Sequence, residues 1–99
     1  MRIKNRPDGI FFINDLSAIT AIRFMQKKGI RIPEMMKIAG FNDDPVSSMV
    51  EPSLTTVMQP GYEVGKFSMR MLVDEINSPA SGFQNIQLRT QLIIRNSSK

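Results

Sequence analysis

Cysteine, histidine and tryptophan are absent from this 99-residue chain, and tyrosine occurs once, at Tyr62. Without histidine or cysteine, the commonest general base and the thiol nucleophile are both missing. The lack of cysteine fits a reducing compartment, and the cytoplasm is the expected location. No stretch of 18 or more apolar residues occurs, so neither a transmembrane helix nor a membrane partner is expected. The first six residues (Met-Arg-Ile-Lys-Asn-Arg) lead into Pro7 without an apolar segment, which argues against a signal peptide. Gly61 and Gly65 complete neither a dinucleotide-binding fingerprint nor a P-loop. The acidic pairs Asp43-Asp44 and Asp74-Glu75 adjoin in sequence, which does not make them converge on a metal. No catalytic residue, metal site or cofactor is expected, and the chain reads as a non-enzyme.

Positive charge is in excess, 13 Lys and Arg against 9 Asp and Glu, for a formal net charge of +4. The basic residues are scattered: Arg2, Lys4 and Arg6 at the start, Lys27, Lys28 and Arg31 around one turn, then singly. A phosphate-tracking surface gathers its charges on one face and usually interleaves stacking aromatics. Neither condition is met, so these charges read as solvated surface.

What is present is an apolar fraction of 41%, enough for the core of one domain at most. Ile10-Phe11-Phe12-Ile13, preceded by Pro7-Asp8-Gly9, predicts a strand buried on both faces. Asn14-Asp15 supplies a cap for a helix over 16–28, which Gly29 ends. At 100° per residue, Ala18, Ile19, Ala21, Ile22 and Met25 cover an arc of about 160°, with Leu16 and Phe24 outside it. Residues 36–41 (Met-Lys-Ile-Ala-Gly-Phe) read as a second buried strand, completing a βαβ unit. After Asn42-Asp43-Asp44 and Pro45, residues 46–50 fit one helical turn, and 54–58 run extended. A second helix over 61–77 follows Pro60, with a charged strip of Glu63, Lys66, Arg70 and Asp74 and an apolar remainder. Gly65 within it predicts a close neighbour at that turn. Residues 78–82 (Ser-Pro-Ala-Ser-Gly) break the helix, and alternating Ile86, Leu88, Thr90, Leu92 and Ile94 predict one long terminal strand. Two helices barely cover both faces of a parallel sheet, so the sequence reads as part of a larger fold.

Six segments in order carry a family resemblance: Pro7-Asp8-Gly9-Ile10-Phe11 with Asn14-Asp15; Gly29-Ile30-Arg31-Ile32-Pro33-Glu34; Ile38-Ala39-Gly40-Phe41-Asn42-Asp43; Pro52-Ser53-Leu54-Thr55-Thr56-Val57; Gly65; and Arg95-Asn96-Ser97-Ser98. The chain resembles about the last third of the lactose-repressor (LacI/GalR) family of transcription regulators. The resemblance implies an α/β, partial periplasmic-binding-protein-like fold: a parallel βαβ core with a second helix and a long terminal strand. All of residues 1–99 would be effector-binding and dimerisation domain, with 7–54 and 84–95 in the C-terminal subdomain and the 61–77 helix in the N-terminal one. It further implies a small-molecule effector of carbohydrate type or related, a homodimer, and contact with DNA only through a helix-turn-helix module that has no counterpart in this sequence.

Three effector-binding residues carry over: Asn14 after the first strand, Asn42 after the second, and Gln59 at the subdomain crossover. Amides offer both donor and acceptor, which suits hydroxyl-rich ligands. Many family members have Asp where Asn42 stands, so this chain lacks a charge-assisted acceptor there. Plainer roles stay open: Asn14 and Asp15 as caps, Asn42 and Asp43 as turn formers, Gln59 as a pre-proline linker. The family dimer face maps onto Ile19, Ile22, Arg23, Val46, Ser47, Met49 and Val50, although core packing accounts for Ile22 equally well. The alternative to a regulator is a portion of a periplasmic-type sugar-binding protein of an uptake system, which shares the fold. The absent export signal and the 54–57 crossover (Leu-Thr-Thr-Val) favour the regulator.

Overall fold

The computed structural model describes residues 5–79, 82 and 84–99. Its elements in order are β1 (Gly9–Phe11), α1 (Asp15–Lys27), β2 (Lys37–Ala39), a 3-10 turn (Pro45–Ser48), β3 (Thr56–Met58), α2 (Gly61–Asn77), β4 (Gln91–Ile93) and a last 3-10 turn (Asn96–Ser98). The chain divides into two compact units, residues 1–58 with 91–99, and residues 59–90.

In the first unit β1 and β2 pair in parallel, with Gly9, Ile10 and Phe11 opposite Lys37, Ile38 and Ala39. A parallel bridge joins Ala39 to Thr55, and β3 then pairs antiparallel with β4, Thr56 opposite Ile93 and Met58 opposite Gln91. The α/β class and the βαβ core are as expected. The Asn14 carboxamide Oδ1 accepts from the Ser17 N–H at 2.8 Å and so caps α1. At the other end Ile30 N–H donates to Met25 O at 2.9 Å and Gly29 N–H to Gln26 O at 3.1 Å. This closure needs the left-handed backbone that Gly29 adopts, φ +81°. The expected arc faces inward: Ala18, Ile19 and Ile22 are buried with Ile32, Met36, Ile38 and Leu54, and Met25 packs against them. Each fully buried aliphatic side chain contributes about 1.5–3 kcal/mol. Leu16 and Phe24, outside the arc, are exposed.

Three expectations are corrected. The first strand is not buried on both faces: Phe11 is 60% exposed, because within its own unit α1 is the helix that supplies core side chains. The terminal strand is short, Gln91–Ile93 rather than ten residues, because the three residues of β3 are all it pairs with. Residues 84–90 fall in the second unit with α2. There Val64, Phe67 and Met71 of α2 share a depression with Ile86 and Leu88. Among the described residues Gly65 has no close neighbour; a Cβ at this position would meet nothing within 4 Å. Helix α2 ends at Asn77 as predicted, and Ala80 and Ser81 of the expected break lie outside the described residues. Among the described residues no helix is long and apolar enough to cross a membrane.

Candidate functional site

The paired segments of β1 and β2 finish at Phe11 and Ala39, which are register partners. Asn14 and Asn42 each lie three residues beyond that pair, at the same edge of the sheet. Carboxyl ends of adjacent parallel strands are where open α/β sheets place ligands. Both asparagines are exposed. The Asn14 side-chain oxygen caps α1, while the Asn42 Nδ2 donates to Asp44 Oδ1 at 2.9 Å. Gln59, exposed, follows the last residue of β3 and opens the second unit.

The Asn42 loop has an uncommon backbone. Asn42 has φ +118° and Asp43 φ +53°, a left-handed region that side chains other than those of Asn and Asp rarely enter. Three successive amides hold it there. Asn42 N–H donates to Val57 O at 2.8 Å, Asp43 N–H to Thr56 Oγ1 at 3.1 Å, and Asp44 N–H to Asp15 Oδ2 at 2.7 Å.

Asp15 is the hub, and its burial was not foreseen. It is completely buried at the start of α1, and its carboxylate also accepts from Ser47 Oγ at 2.8 Å and Thr56 Oγ1 at 2.7 Å. Hydrogen bonds to an ionised acceptor are stronger than neutral ones and offset the desolvation of the charge. Space for the carboxylate comes from Gly40: a Cβ there would fall inside Asp15 Oδ1 and 3.0 Å from Leu54 Cδ2. The Asn-Asp pair read as two caps is thus divided, Asn14 capping outside and Asp15 bonding inside. The signal available in the sequence was the glycine after β2 together with the hydroxyls of Ser47 and Thr56.

A second polar lattice ties the C-terminus to the same strands. The Arg95 guanidinium pairs with Asp43 Oδ1 at 2.9 Å and donates to Leu54 O at 3.0 Å. Buried Ser97 donates from Oγ to Ile38 O at 2.6 Å and accepts from Thr55 N–H at 2.8 Å. Thr55 Oγ1 accepts from Arg95 N–H at 2.8 Å and meets Ser98 Oγ at 2.5 Å. Thr55 and Thr56 therefore face opposite ways, Thr55 to the tail and Thr56 to Asp15. With Asp43 engaged by Arg95 and Asp44 Oδ1 by Asn42, the acidic pair serves the loop itself.

The residues assigned to a dimer face divide by burial. Ile19 and Ile22 belong to the core, and Ser47 is buried against Asp15, so these three are committed within the chain. Arg23, Val46 and Met49 are exposed and Val50 is half-buried, and these present the available surface.

A parallel βαβ unit with polar residues at the strand ends, joined through a crossover to a second unit, defines a periplasmic-binding-protein type of ligand domain. The profile of the periplasmic binding protein-like domain family matches residues 1–98, and the chain belongs to that family. It is 37% identical over 92 residues to the ribose operon repressor of Halalkalibacterium halodurans, covering 93% of this chain and 28% of the repressor. The structure superposes on a LacI family transcriptional regulator from Enterococcus faecalis V583 with bound ribose, at TM-score 0.85 and 35% identity, over 96% of this chain and 36% of the other. It matches a complex of the transcriptional regulator CelR with cellobiose at TM-score 0.85 and 33% identity, over 92% of this chain and 28% of the other. Within the family these similarities lie with the LacI-type regulators. The chain spans about 28% of the length of the curated repressors it matches, and those relatives are transcriptional repressors rather than enzymes.

Proposed function

We propose that this chain is the effector-binding and dimerisation part of a LacI-type transcriptional regulator, and that it senses a small sugar. The observation that carries the reading is the pairing of Asn14 and Asn42 at equal distances past a parallel register pair, on the family's fold. Both side chains are exposed at the strand ends, and carboxamide chemistry suits vicinal hydroxyls. Asn42 is the stronger candidate because its backbone is held on every side; Asn14 shares its oxygen with the helix cap. Gln59 supplies the third amide on the resemblance alone. Ribose and cellobiose, bound by two structural relatives, set the class of ligand.

Arg23, Val46, Met49 and Val50 supply this chain's share of a homodimer face. The effector biases two arrangements of a pair of subdomains, and thereby the DNA affinity of a linked helix-turn-helix module outside these residues. The chain itself performs no chemistry, and its place of action is the cytoplasm, where the DNA is. The repressor identities of the curated relatives favour this over a sugar-uptake component. The test is fluorescence anisotropy of the full-length polypeptide on its own upstream DNA, with and without D-ribose or cellobiose. A sugar-dependent change in DNA affinity supports the reading. An absence of DNA binding in every condition refutes it in favour of the uptake role.

A further inference from the structure

We infer that Asp15 and Thr56 are positioning residues that fix the direction of the Asn42 amide, so that ligand recognition depends on two side chains that never touch the ligand. The inference rests on the effector-site reading for its ligand-binding half and on geometry alone for the rest.

Two successive non-glycine residues with positive φ do not persist unless their surroundings over-determine them. The determinants are visible at each amide. The Asn42 N–H is fixed by the β3 backbone, the Asp43 N–H by the Thr56 hydroxyl, and the Asp44 N–H by the Asp15 carboxylate. The last two are one device. Thr56 Oγ1 has a single proton and gives it to Asp15 Oδ1, so a lone pair is left facing the Asp43 N–H. Asp15 sets the Thr56 rotor with one oxygen and with the other holds Asp44 N–H and Ser47 Oγ. Asp15, Ser47 and Thr56 are all fully buried, so water cannot substitute for a lost partner without opening the site. Asp44 in turn accepts from the Asn42 side chain, which carries the constraint from the buried carboxylate to the exposed amide. Released from these bonds, Asn42 and Asp43 relax toward negative φ and the amide turns away from its present direction. A carboxylate is required at position 15 because its neighbours there, two hydroxyls and an N–H, approach as donors; a carboxamide sets an NH2 against one of them.

The variants are Thr56→Val, which keeps shape and loses the hydroxyl, Thr56→Ser, which keeps the hydroxyl, and Asp15→Asn, all in the full-length polypeptide. Amide hydrogen exchange is read at Asp43 and Asp44 against Phe12 and Gly40, whose N–H groups bond to Ala39 O and Thr55 O. D-ribose and cellobiose affinities are measured by calorimetry on the same samples. Thr56→Val and Asp15→Asn are expected to speed exchange at Asp43 and Asp44 by about tenfold or more while leaving Phe12 and Gly40 protected, and Thr56→Ser restores protection. Affinity for whichever sugar the wild type binds is expected to fall by about tenfold to a hundredfold in Thr56→Val and to return in Thr56→Ser. Unchanged exchange at Asp43 and Asp44, or acceleration shared equally by Phe12 and Gly40, overturns the inference. Local acceleration with unaltered sugar affinity also overturns it, while leaving the effector-site reading intact. If the wild type binds neither sugar, the choice of those ligands fails, and the exchange pattern alone decides whether Asp15 and Thr56 hold the loop.

Discussion

Gly40→Ala is a one-methyl change whose cost follows directly from the structure. The new Cβ would overlap Asp15 Oδ1 and lie 3.0 Å from Leu54 Cδ2 and 3.3 Å from Asp15 Cα. Leu54, Asp15 and Gly40 are all buried, so no neighbour can swing into solvent. Overpacking of this kind costs about 1–3 kcal/mol. The carboxylate must also move from the donors of Asp44, Ser47 and Thr56, and weakening even one hydrogen bond to a charged group adds about 1.5–3 kcal/mol. The total of roughly 2.5–6 kcal/mol is a large part of the about 5–15 kcal/mol that holds a small domain together. At about 4–8 °C per kcal/mol for a chain of this size, the melting temperature should fall by at least about 10 °C. Circular dichroism on heating, with urea denaturation as a second measure, reads this out. Asp15→Ala provides the internal control: with the carboxylate gone, Gly40→Ala should cost about 2 kcal/mol less than in the wild type. A melting temperature within about 4 °C of wild type for Gly40→Ala, or additive costs in the double variant, would refute the claim that Gly40 exists to seat Asp15.

Ser97→Ala should destabilise the chain by about 1–3 kcal/mol in urea denaturation, because it strips a buried partner from both Ile38 O and Thr55 N–H. Met49→Asp should raise the homodimer dissociation constant by about tenfold in sedimentation equilibrium, since Met49 is 79% exposed on the proposed face; an unchanged constant removes that face. The 99-residue chain alone should show no preference among DNA sequences and lose its weak binding by moderate salt, as scattered charges dictate; discrimination at physiological salt in an anisotropy titration would contradict this.

The parts of the fold that were legible in the sequence are local. The capped start of α1, its inward arc and the Gly29 closure each depend on residues within a few positions of one another. The length of β4 was not legible, because alternation at Ile86, Leu88 and Thr90 shows a two-faced segment and not whether a partner strand reaches it. The bare face of β1 was missed for a related reason: an apolar run predicts burial but does not show whether a helix lies on each face. At the site, the exposed amides could be placed from their position after two strands. The buried lattice beneath them could not. Asp15 beside a good cap residue looks like ordinary first-turn acid, and its partners Ser47 and Thr56 stand 32 and 41 residues away. Gly65 shows the converse, a helix glycine whose expected neighbour is not found among the described residues.

The most direct test of the account is a calorimetric titration of the full-length polypeptide with D-ribose and cellobiose, wild type against Asn42→Ala. Saturable binding of one sugar is predicted, weakened by about 1–3 kcal/mol in Asn42→Ala, the cost of removing one side of a polar contact, with a somewhat lowered melting temperature because alanine tolerates the positive φ at this position less well than asparagine. Equal affinity in both proteins would make Asn42 a turn residue only, and no binding of either sugar by the wild type would contradict the proposed ligand class.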